Sequence, residues 1–484
     1  MSQPKERDLR TSTPADLLEE LTGGSLPALR THRSAIAPSA PPASMTLAPP
    51  AMPRAVTPSI PRRTAFVLSG GGARGAYEVG VLSYVFSELA RHRGGRMPRL
   101  DILCGTSVGA INACYLAAHA GDPGHGVRRL VELWTDLELS SVLGFGVRQA
   151  WSLPRMMLGG GAAPAGLFDV RPMARLLERE VGWRAVSRNL RHGHLRALSI
   201  STTEISTGRT VIWMQTGPDV ALPATAPPRT LIRSDLIGTG HALASAAIPL
   251  LFPPVRLGRE YYCDGGLRLN TPIAPALRLG ATHVLAVALS REVKGLSSPE
   301  SGPVHPRPLG AAALLGKVLN AFLLDHVVND LDVLARINGM LSDGIAAYGD
   351  EFLTRVSEAA HARGGEHYRP VHCLALQPSE DIGKLASDHI AHGSLRGGAL
   401  IGRQVLRALY LGGDTDADLA SYLLFDGGFA QRLIDMGRAD AAARRDELLA
   451  FFEGDEGIDP NAAPPPDGPG DAEPEVAKRP TLVG

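Results

Sequence analysis

Residues 100–118 have the sequence LDILCGTSVGAINACYLAA, which predicts a short apolar strand, a sharp turn and a helix. The strand ends at Cys104, and the turn has the pattern G-x-S-x-G, in which Gly105 and Gly109 flank Ser107. Glycines at both ends let the strand and the helix approach without a Cβ clash. A serine on such a turn holds its hydroxyl clear of the sheet edge, in front of helical N–H groups that attract an anion. Ser107 is therefore a candidate nucleophile.

A second glycine-rich turn follows an earlier predicted strand, residues 64–69, and opens an apolar helix. Residues 70–75, GGGARG, fit the G-x-G-x-x-G pattern of dinucleotide sites. However, the next strand ends in the Ser107 turn instead of the acidic residue that such sites need. We interpret the loop as an anion-binding turn that can supply an oxyanion hole for Ser107, because both turns follow neighbouring strands. The residues of this turn are Gly70, Gly71, Gly72 and Arg74.

A carboxylate at the end of a third strand is a candidate base. Asp264 follows the strand Tyr261-Tyr262-Cys263 and precedes Gly265 and Gly266, which would let its carboxylate face a site. Asp-Gly is also a common turn, so the pattern alone fits an Asx turn equally. A serine hydroxyl needs a base within reach, and a carboxylate serves when desolvation raises its pKa. The residues leave a Ser-Asp-His triad open as well, with His241, His283, His372, His389 and His392 as candidates.

Composition and charge argue against several classes of protein. The 484 residues have a formal net charge of zero and a pI of about 7.3, which argues against electrostatic capture of nucleic acid. The four cysteines have no paired spacing, which predicts free thiols in a reducing compartment. No secretory signal and no run of 18 uncharged apolar residues is visible. We therefore expect a cytoplasmic protein that is at most peripheral at a membrane surface.

The chain divides into four predicted parts. They are a Pro-, Ala- and Ser-rich disordered tail at 1–63, a catalytic α/β domain at 64–290, a mainly helical region at 291–452 and an acidic, Pro-rich disordered tail at 453–484. Residues 143–166 are Gly-rich and apolar, which fits either a lid or an ordinary surface loop. Asp426 begins a second D-G-G string, but it interrupts a helical pattern, and we interpret it as a helix break.

Taken together, these motifs resemble patatin-like phospholipases. The sequences SGGGARGAYEVGVL, GTSVGAINA and DGGLRLNTPI occur in that order, at residues 69–82, 105–113 and 264–273. Two further stretches agree, GLFDVRPMARLLE at 166–178 and ALASAAIPLLFPPV at 242–255. The resemblance covers roughly residues 64–290. It implies a three-layer α/β/α sandwich with a mainly parallel central sheet, to which a helical C-terminal region is appended.

The resemblance also implies a site and an activity. Ser107 would be the nucleophile and Asp264 the base of a dyad without histidine, supported by the two loops described above. The implied activity is hydrolysis of lipid acyl esters of the phospholipase A or lysophospholipase type, without metal or organic cofactor. The expected partner is a lipid or membrane surface, with no nucleic acid and no dinucleotide. A catalytically weak lipid-binding or scaffold protein on the same fold is the alternative, and a dinucleotide-dependent enzyme is a third. The oligomeric state, head group and acyl length stay open.

Overall fold

Nine strands form one sheet in the part of the chain that the structure, a computed structural model, describes: residues 61–144, 166–290, 327–363, 367–392 and 417–458. The strands are β1 (Thr64–Leu68), β2 (Ile102–Thr106), β3 (Ala197–Glu204), β4 (Thr210–Thr216), β5 (Thr230–Ser234), β6 (Val255–Leu257), β7 (Glu260–Asp264), β8 (His283–Val287) and β9 (His372–Leu376). Their order is β5-β4-β3-β2-β1-β8-β9, and the β6–β7 hairpin joins the sheet through β3. β3, β2, β1, β8 and β9 are parallel, whereas β4 and β7 pair with β3 antiparallel.

Helices cover both faces of this sheet. In chain order they are α1 (Ala76–Ser83), α2 (Val108–Ala118), α3 (Pro123–Thr135), α4 (Leu139–Val142), α5 (Arg171–Glu180), α6 (Trp183–Arg191), α7 (Thr239–Ser245), α8 (Ile273–Arg278), α9 (Val327–Tyr348), α10 (Glu351–Ala362), α11 (Ile382–His392), α12 (Ala417–Leu423), α13 (Gly427–Ala443) and α14 (Arg445–Phe451). A 3-10 turn, Gly72–Gly75, precedes α1, and a π-helical stretch, Tyr84–Leu89, and a last helical turn, Ala90–His92, continue it. A second 3-10 turn, Gly265–Leu267, follows β7.

Successive side chains of β1 point to opposite faces of the sheet, and each face packs against its own layer of helices. Phe66 and Leu68 belong to one hydrophobic cluster, which holds the buried sides of α1, α2, α3 and α13. Ala65 and Val67 point the other way, into a second cluster with α8 and part of α9. A strand buried on both faces in this manner is typical of a parallel sheet between helices. The arrangement confirms the three-layer α/β/α sandwich with a mainly parallel sheet.

The sheet brings the two predicted turns to one edge. β1 pairs in parallel with β2, and Leu68 lies opposite Gly105 in the register. The glycine-rich turn after β1 and the Ser107 turn after β2 therefore leave the sheet side by side, as predicted. β7 pairs with the last residues of β3, with Asp264 opposite Thr202, so its end reaches the same edge.

The C-terminal region shares the sheet and its core. β9 continues the sheet beside β8, and α13 packs on α1. Residues 453–458, predicted to belong to a disordered tail, contact the domain: Ile458 pairs with Met97, and Asp455 forms an ion pair with Arg93 at 3.3 Å. The rest of that predicted tail, 459–484, lies outside the described residues. The predicted lid lies mostly outside the described residues, at 145–165, as does the N-terminal tail up to residue 60. Among the helices described, none has both the length and the apolar character needed to span a bilayer.

Candidate active site

Ser107 occupies a strained position between β2 and α2. Its backbone has φ 55° and ψ −125°, a left-handed region that costs a residue with a side chain roughly 1–3 kcal/mol. The flanking glycines make the turn possible, because a Cβ at Gly105 would clash with the carbonyl of Gly109. A Cβ at Gly109 would likewise clash with the carbonyl of Leu68. The strain presents the Ser107 hydroxyl at the N-terminus of α2, as the G-x-S-x-G pattern predicts.

A buried serine on α7 holds this turn in place. The backbone N–H of Ser107 donates to Oγ of Ser245 at 2.9 Å. The Ser245 hydroxyl in turn donates to the carbonyl oxygen of Ser201 at 2.7 Å, and its side chain is fully buried. In the sequence, Ser245 lies in the 242–255 stretch, which predicts no role for it. The signal available was a small polar residue in an otherwise apolar helix.

Asp264 accepts a hydrogen bond from the Ser107 hydroxyl. Oγ of Ser107 donates to Oδ2 of Asp264 at 2.7 Å, and the N–H of Gly266 donates to Oδ1 at 2.7 Å. Both side chains are buried, and Asp264 is inaccessible to solvent. Burial raises the pKa of Asp264 to about 7, against the opposing effect of these two hydrogen bonds. The Asp264 carboxylate can therefore accept the proton of the Ser107 hydroxyl near neutral pH.

The glycine-rich turn lies beside the serine. Gly70 is fixed by Asn270, since the Gly70 N–H donates to the Asn270 carbonyl at 3.2 Å and Asn270 Nδ2 donates to the Gly70 carbonyl at 3.3 Å. Gly72 has φ 58°, which favours glycine, and it lines the same pocket as Ser107. Asn270 belongs to the third motif, but the sequence pattern does not predict this contact. Its two hydrogen bonds fix the glycine-rich turn beside Ser107.

Arg74 points to the C-terminal region. Its side chain is buried, its Nε donates to Oγ of Ser421 at 2.8 Å, and its guanidinium lies 4.2 Å from the centre of the Tyr422 ring. The sequence predicted Arg74 as part of the oxyanion turn and did not predict these partners. Nothing in the local pattern links residue 74 to a segment almost 350 residues later.

An apolar pocket opens at Ser107. Its lining includes Gly72, Asn112 and Glu180 as well as the nucleophile, and Glu180 is the one charged residue among the lining residues described. Most of the wall consists of large apolar side chains, among them Ile111, Leu130, Trp134, Met173, Phe252 and Phe425. Such a wall binds a hydrocarbon chain by removing it from water.

A buried polar network ties the helices around the pocket. Trp134 Nε1 donates to Oδ1 of Asn112 at 3.1 Å, and Asn112 Nδ2 donates to Oε2 of Glu78 at 2.9 Å. Burial raises the pKa of Glu78 well above its usual range. The network joins α1, which follows the glycine-rich turn, to α2, which follows Ser107, and to α3, which forms a pocket wall. No sequence motif predicts it.

The candidate triad histidines have partners elsewhere. Among the residues that the structure describes, no histidine forms a hydrogen bond with Ser107 or Asp264. His283 and His372 stack at the first residues of β8 and β9, at the edge of the sheet opposite the Ser107 turn. The others contact acidic side chains or backbone: His241 lies near Asp235, His389 near Asp426 and His392 near its own helix.

A protein-family model matches the part of the chain that contains this site. Residues 66–277 match the family model described as patatin-like phospholipase. A cGAMP-activated phospholipase of Pseudomonas aeruginosa (strain BWHPSA011 / Pa011) is 33% identical over 217 residues, which are 44% of this chain and 55% of that protein. A cGAMP-activated phospholipase of Escherichia coli (strain TW11681) is 28% identical over 219 residues, 44% of this chain and 54% of that one. The chain thus spans about half the length of the curated relatives it matches.

Two solved structures are also similar to this chain. VipD from Legionella pneumophila aligns with a TM-score of 0.27 and 13% identity, over 81% of this chain and 75% of VipD. Human GIVD cytosolic phospholipase A2, solved in complex with methyl gamma-linolenyl fluorophosphonate, aligns with a TM-score of 0.33 and 14% identity. That alignment covers 81% of this chain and 58% of the human enzyme chain.

Proposed function

We propose that this chain, whose residues 66–277 form a patatin-like phospholipase domain, hydrolyses the acyl esters of membrane lipids with Ser107 as nucleophile and Asp264 as base. Membership of this family makes a lipid hydrolase the coarse function. The ester bond, the dyad and the acyl-enzyme are the finer parts of the proposal. The expected partner is a lipid surface, and the residues themselves supply every group that the reaction needs.

One observation carries the proposal: the 2.7 Å hydrogen bond from Ser107 Oγ to Asp264 Oδ2, at the mouth of an apolar pocket. A hydroxyl bound to a buried carboxylate has an immediate acceptor for its proton. The adjoining pocket places a hydrocarbon chain next to that hydroxyl. Nucleophile, base and acyl site therefore meet in one place.

The proposed reaction proceeds in two halves. Ser107 Oγ attacks the ester carbonyl while its proton passes to Asp264, and the oxyanion is stabilised by the Gly72 turn and the N-terminus of α2. Collapse of the tetrahedral intermediate expels the alcohol, which takes the proton from Asp264, and leaves an acyl-Ser107 ester. A water molecule then repeats the sequence with Asp264 as base, releasing a fatty acid and restoring the serine.

The test compares wild type with Ser107→Ala on a mixed phospholipid extract, with released fatty acids and lysolipids identified by mass spectrometry. A short-chain chromogenic ester and a fluorophosphonate probe provide two further readouts. Because the curated relatives are named as cGAMP-activated, each assay is run with and without cGAMP. Wild type should release fatty acid and react with the probe, and Ser107→Ala should do neither, since it lacks the attacking oxygen.

The other outcomes decide between the alternatives. Lipid binding without hydrolysis in any condition would favour a lipid-binding or scaffold protein. Probe labelling of Ser107→Ala would mean that another serine is the nucleophile. Hydrolysis seen only with cGAMP would extend the relatives' activation to this chain and would contradict the expectation that no dinucleotide is a partner.

A further inference from the structure

A short segment of the C-terminal region, Ser421–Asp426, lies directly on the oxyanion turn. Ser421 accepts a hydrogen bond from Arg74 at 2.8 Å, and the Tyr422 ring lies over the same guanidinium at 4.2 Å. The backbone of Tyr422 also approaches Gly72 so closely that a Cβ at Gly72 would clash with its carbonyl oxygen. Both faces of the turn are thus fixed, one by the 66–277 domain and one by this segment.

The same segment forms part of the pocket wall. Tyr422 and Phe425 line the pocket together with Ser107. Phe425 packs against Trp134 of α3, with ring centroids 6.4 Å apart and planes 28° apart. Tyr422 is almost fully buried, whereas Phe425 is partly exposed. An acyl chain bound in the pocket would therefore touch aromatic side chains that lie outside the matched family region.

Buried contacts hold the segment in position. Asp426 Oδ1 accepts hydrogen bonds from the N–H groups of Gly428 and Phe429, at 3.0 and 3.1 Å, which caps the start of α13. The same oxygen lies 3.0 Å from Nε2 of His389 on α11. Gly427 donates its N–H to the carbonyl of Leu137 at 2.9 Å and packs against the end of α3. The segment is therefore a rigid bridge between the oxyanion turn and the pocket wall.

From these contacts we infer that Ser421–Asp426 completes the active site: Phe425 and Tyr422 select long acyl chains, and Ser421 is a positioning residue for Arg74. This inference rests on the proposed function, since it assigns the acyl selectivity of the same site. Removal of the Phe425 ring takes apolar contacts from a long chain that lies along the pocket wall, and a four-carbon chain has fewer such contacts to lose. Removal of the Ser421 hydroxyl leaves the chain contacts intact and takes one hydrogen bond from the Arg74 guanidinium.

The test measures kcat/KM for esters of four-carbon and sixteen-carbon acids. Phe425→Ala should lower the ratio of long-chain to short-chain kcat/KM by at least about fivefold. Tyr422→Ala also removes the ring over Arg74, so it should lower kcat/KM on both esters, and more strongly on the long one. Tyr348→Ala is the control, because Tyr348 is an exposed aromatic residue of α9 and is not among the residues that line the pocket. It should leave the ratio unchanged. Parallel losses on both esters, or no change in a variant that melts normally, would overturn the selectivity role.

The positioning role of Ser421 has its own readout. Ser421→Ala should lower kcat on the four-carbon ester by about three- to tenfold at unchanged KM, and Ser421→Thr, which keeps the hydroxyl, should restore it. Ser357→Ala is the control, because it also removes a buried hydroxyl, one that donates to the carbonyl oxygen of Tyr368 and not to the Arg74 turn. A loss of kcat that Ser421→Thr does not restore, or a change in KM alone, would contradict this role.

Failure of the proposed function can be told apart from failure of the inference. On a Ser107→Ala background, binding of a fluorescent sixteen-carbon fatty acid reports the pocket without any catalysis. Phe425→Ala should weaken this binding at least about fivefold, and Tyr348→Ala should not. If Phe425→Ala weakens this binding and the protein with Ser107 intact hydrolyses no ester, the proposed function is wrong and the pocket role stands. If Phe425→Ala leaves fatty-acid binding unchanged, Phe425 has no role in the pocket, whether or not the protein hydrolyses esters.

Discussion

At the scale of single residues, the proposed mechanism makes activity depend on the ionisation of Asp264. As a base it must be ionised, and burial raises its pKa to about 7 from an ordinary value of 3.8. We therefore expect kcat/KM on a short-chain ester to rise with pH through one ionisation near 7. A pH–rate profile between pH 4.5 and 9 measures this. A rise centred near pH 4 would mean that the carboxylate works in a solvated site.

The control for that prediction is Asp264→Asn, which should be inactive but more stable at high pH. The folded state binds the Asp264 proton more tightly than the unfolded state, so burial of the charge destabilises the fold progressively above pH 3.8 and fully above about pH 7. Asparagine removes this charge, and the gain at pH 8 should be up to about 4 kcal/mol and should vanish near pH 4. Urea unfolding at both pH values measures it. Equal stability of the two proteins at pH 8 would contradict the buried charge.

Ser245 has a structural role that the sequence does not predict. Its hydroxyl satisfies the N–H of the strained Ser107, so Ser245→Ala leaves a buried donor without its acceptor. We expect kcat to fall roughly tenfold to a hundredfold with little change in KM, and fluorophosphonate labelling to slow by the same factor. Ser357→Ala, a buried serine elsewhere, should change stability but not labelling. Normal labelling of Ser245→Ala would show that the turn holds itself.

At the scale of elements, the sequence predicted what is local and missed what is distant. The G-x-S-x-G turn and the glycine-rich turn were predictable, because strained backbone and anion binding require particular residues at fixed spacing. Parallel pairing of β1 and β2 then placed both turns at one edge. The partners of Arg74 and Ser107 were not predictable, because Ser421 and Ser245 reach them only through tertiary packing. An ordinary serine in a helix has no sequence signal that names its partner.

The crossing of α13 over α1 depends on glycine. A Cβ at Gly437 would clash with the carbonyl oxygen of Tyr77, whereas Gly339 of α9 has open space around the same position. Gly437→Ala should therefore destabilise the protein by about 1–3 kcal/mol through overpacking. Gly339→Ala should stabilise it by about 0.5–1 kcal/mol, as expected for an exposed helix interior. Thermal unfolding of both variants checks the pair, and a stable Gly437→Ala would mean that the two helices do not meet at this contact.

At the scale of the whole molecule, the C-terminal region is structurally part of the catalytic fold. The sequence predicted a helical region packed on or extending the 64–290 domain, and the composition gave no reason to place it in the site. The structure adds β9 to the sheet, α13 to the core and Ser421–Asp426 to the pocket. Long-range burial of this kind follows from the shape of the apolar surface on α1, which a sequence pattern does not specify. The matched family region alone therefore leaves a face of the core uncovered.

This dependence predicts how the chain responds to shortening. A chain that ends at Gln377 keeps every strand but loses α13, whose Phe429, Leu433 and Ile434 are fully buried against the core. Exposure of that apolar face removes a large hydrophobic contribution, so we expect insoluble protein or no cooperative thermal transition. A chain that ends at Ile458 keeps the described contacts and should melt like the full chain and react with fluorophosphonate at the same rate. Circular dichroism melts and probe labelling compare the three chains. If the shorter chain melted cooperatively and reacted with the probe, the C-terminal helices would be an addition to the catalytic fold and not a part of it.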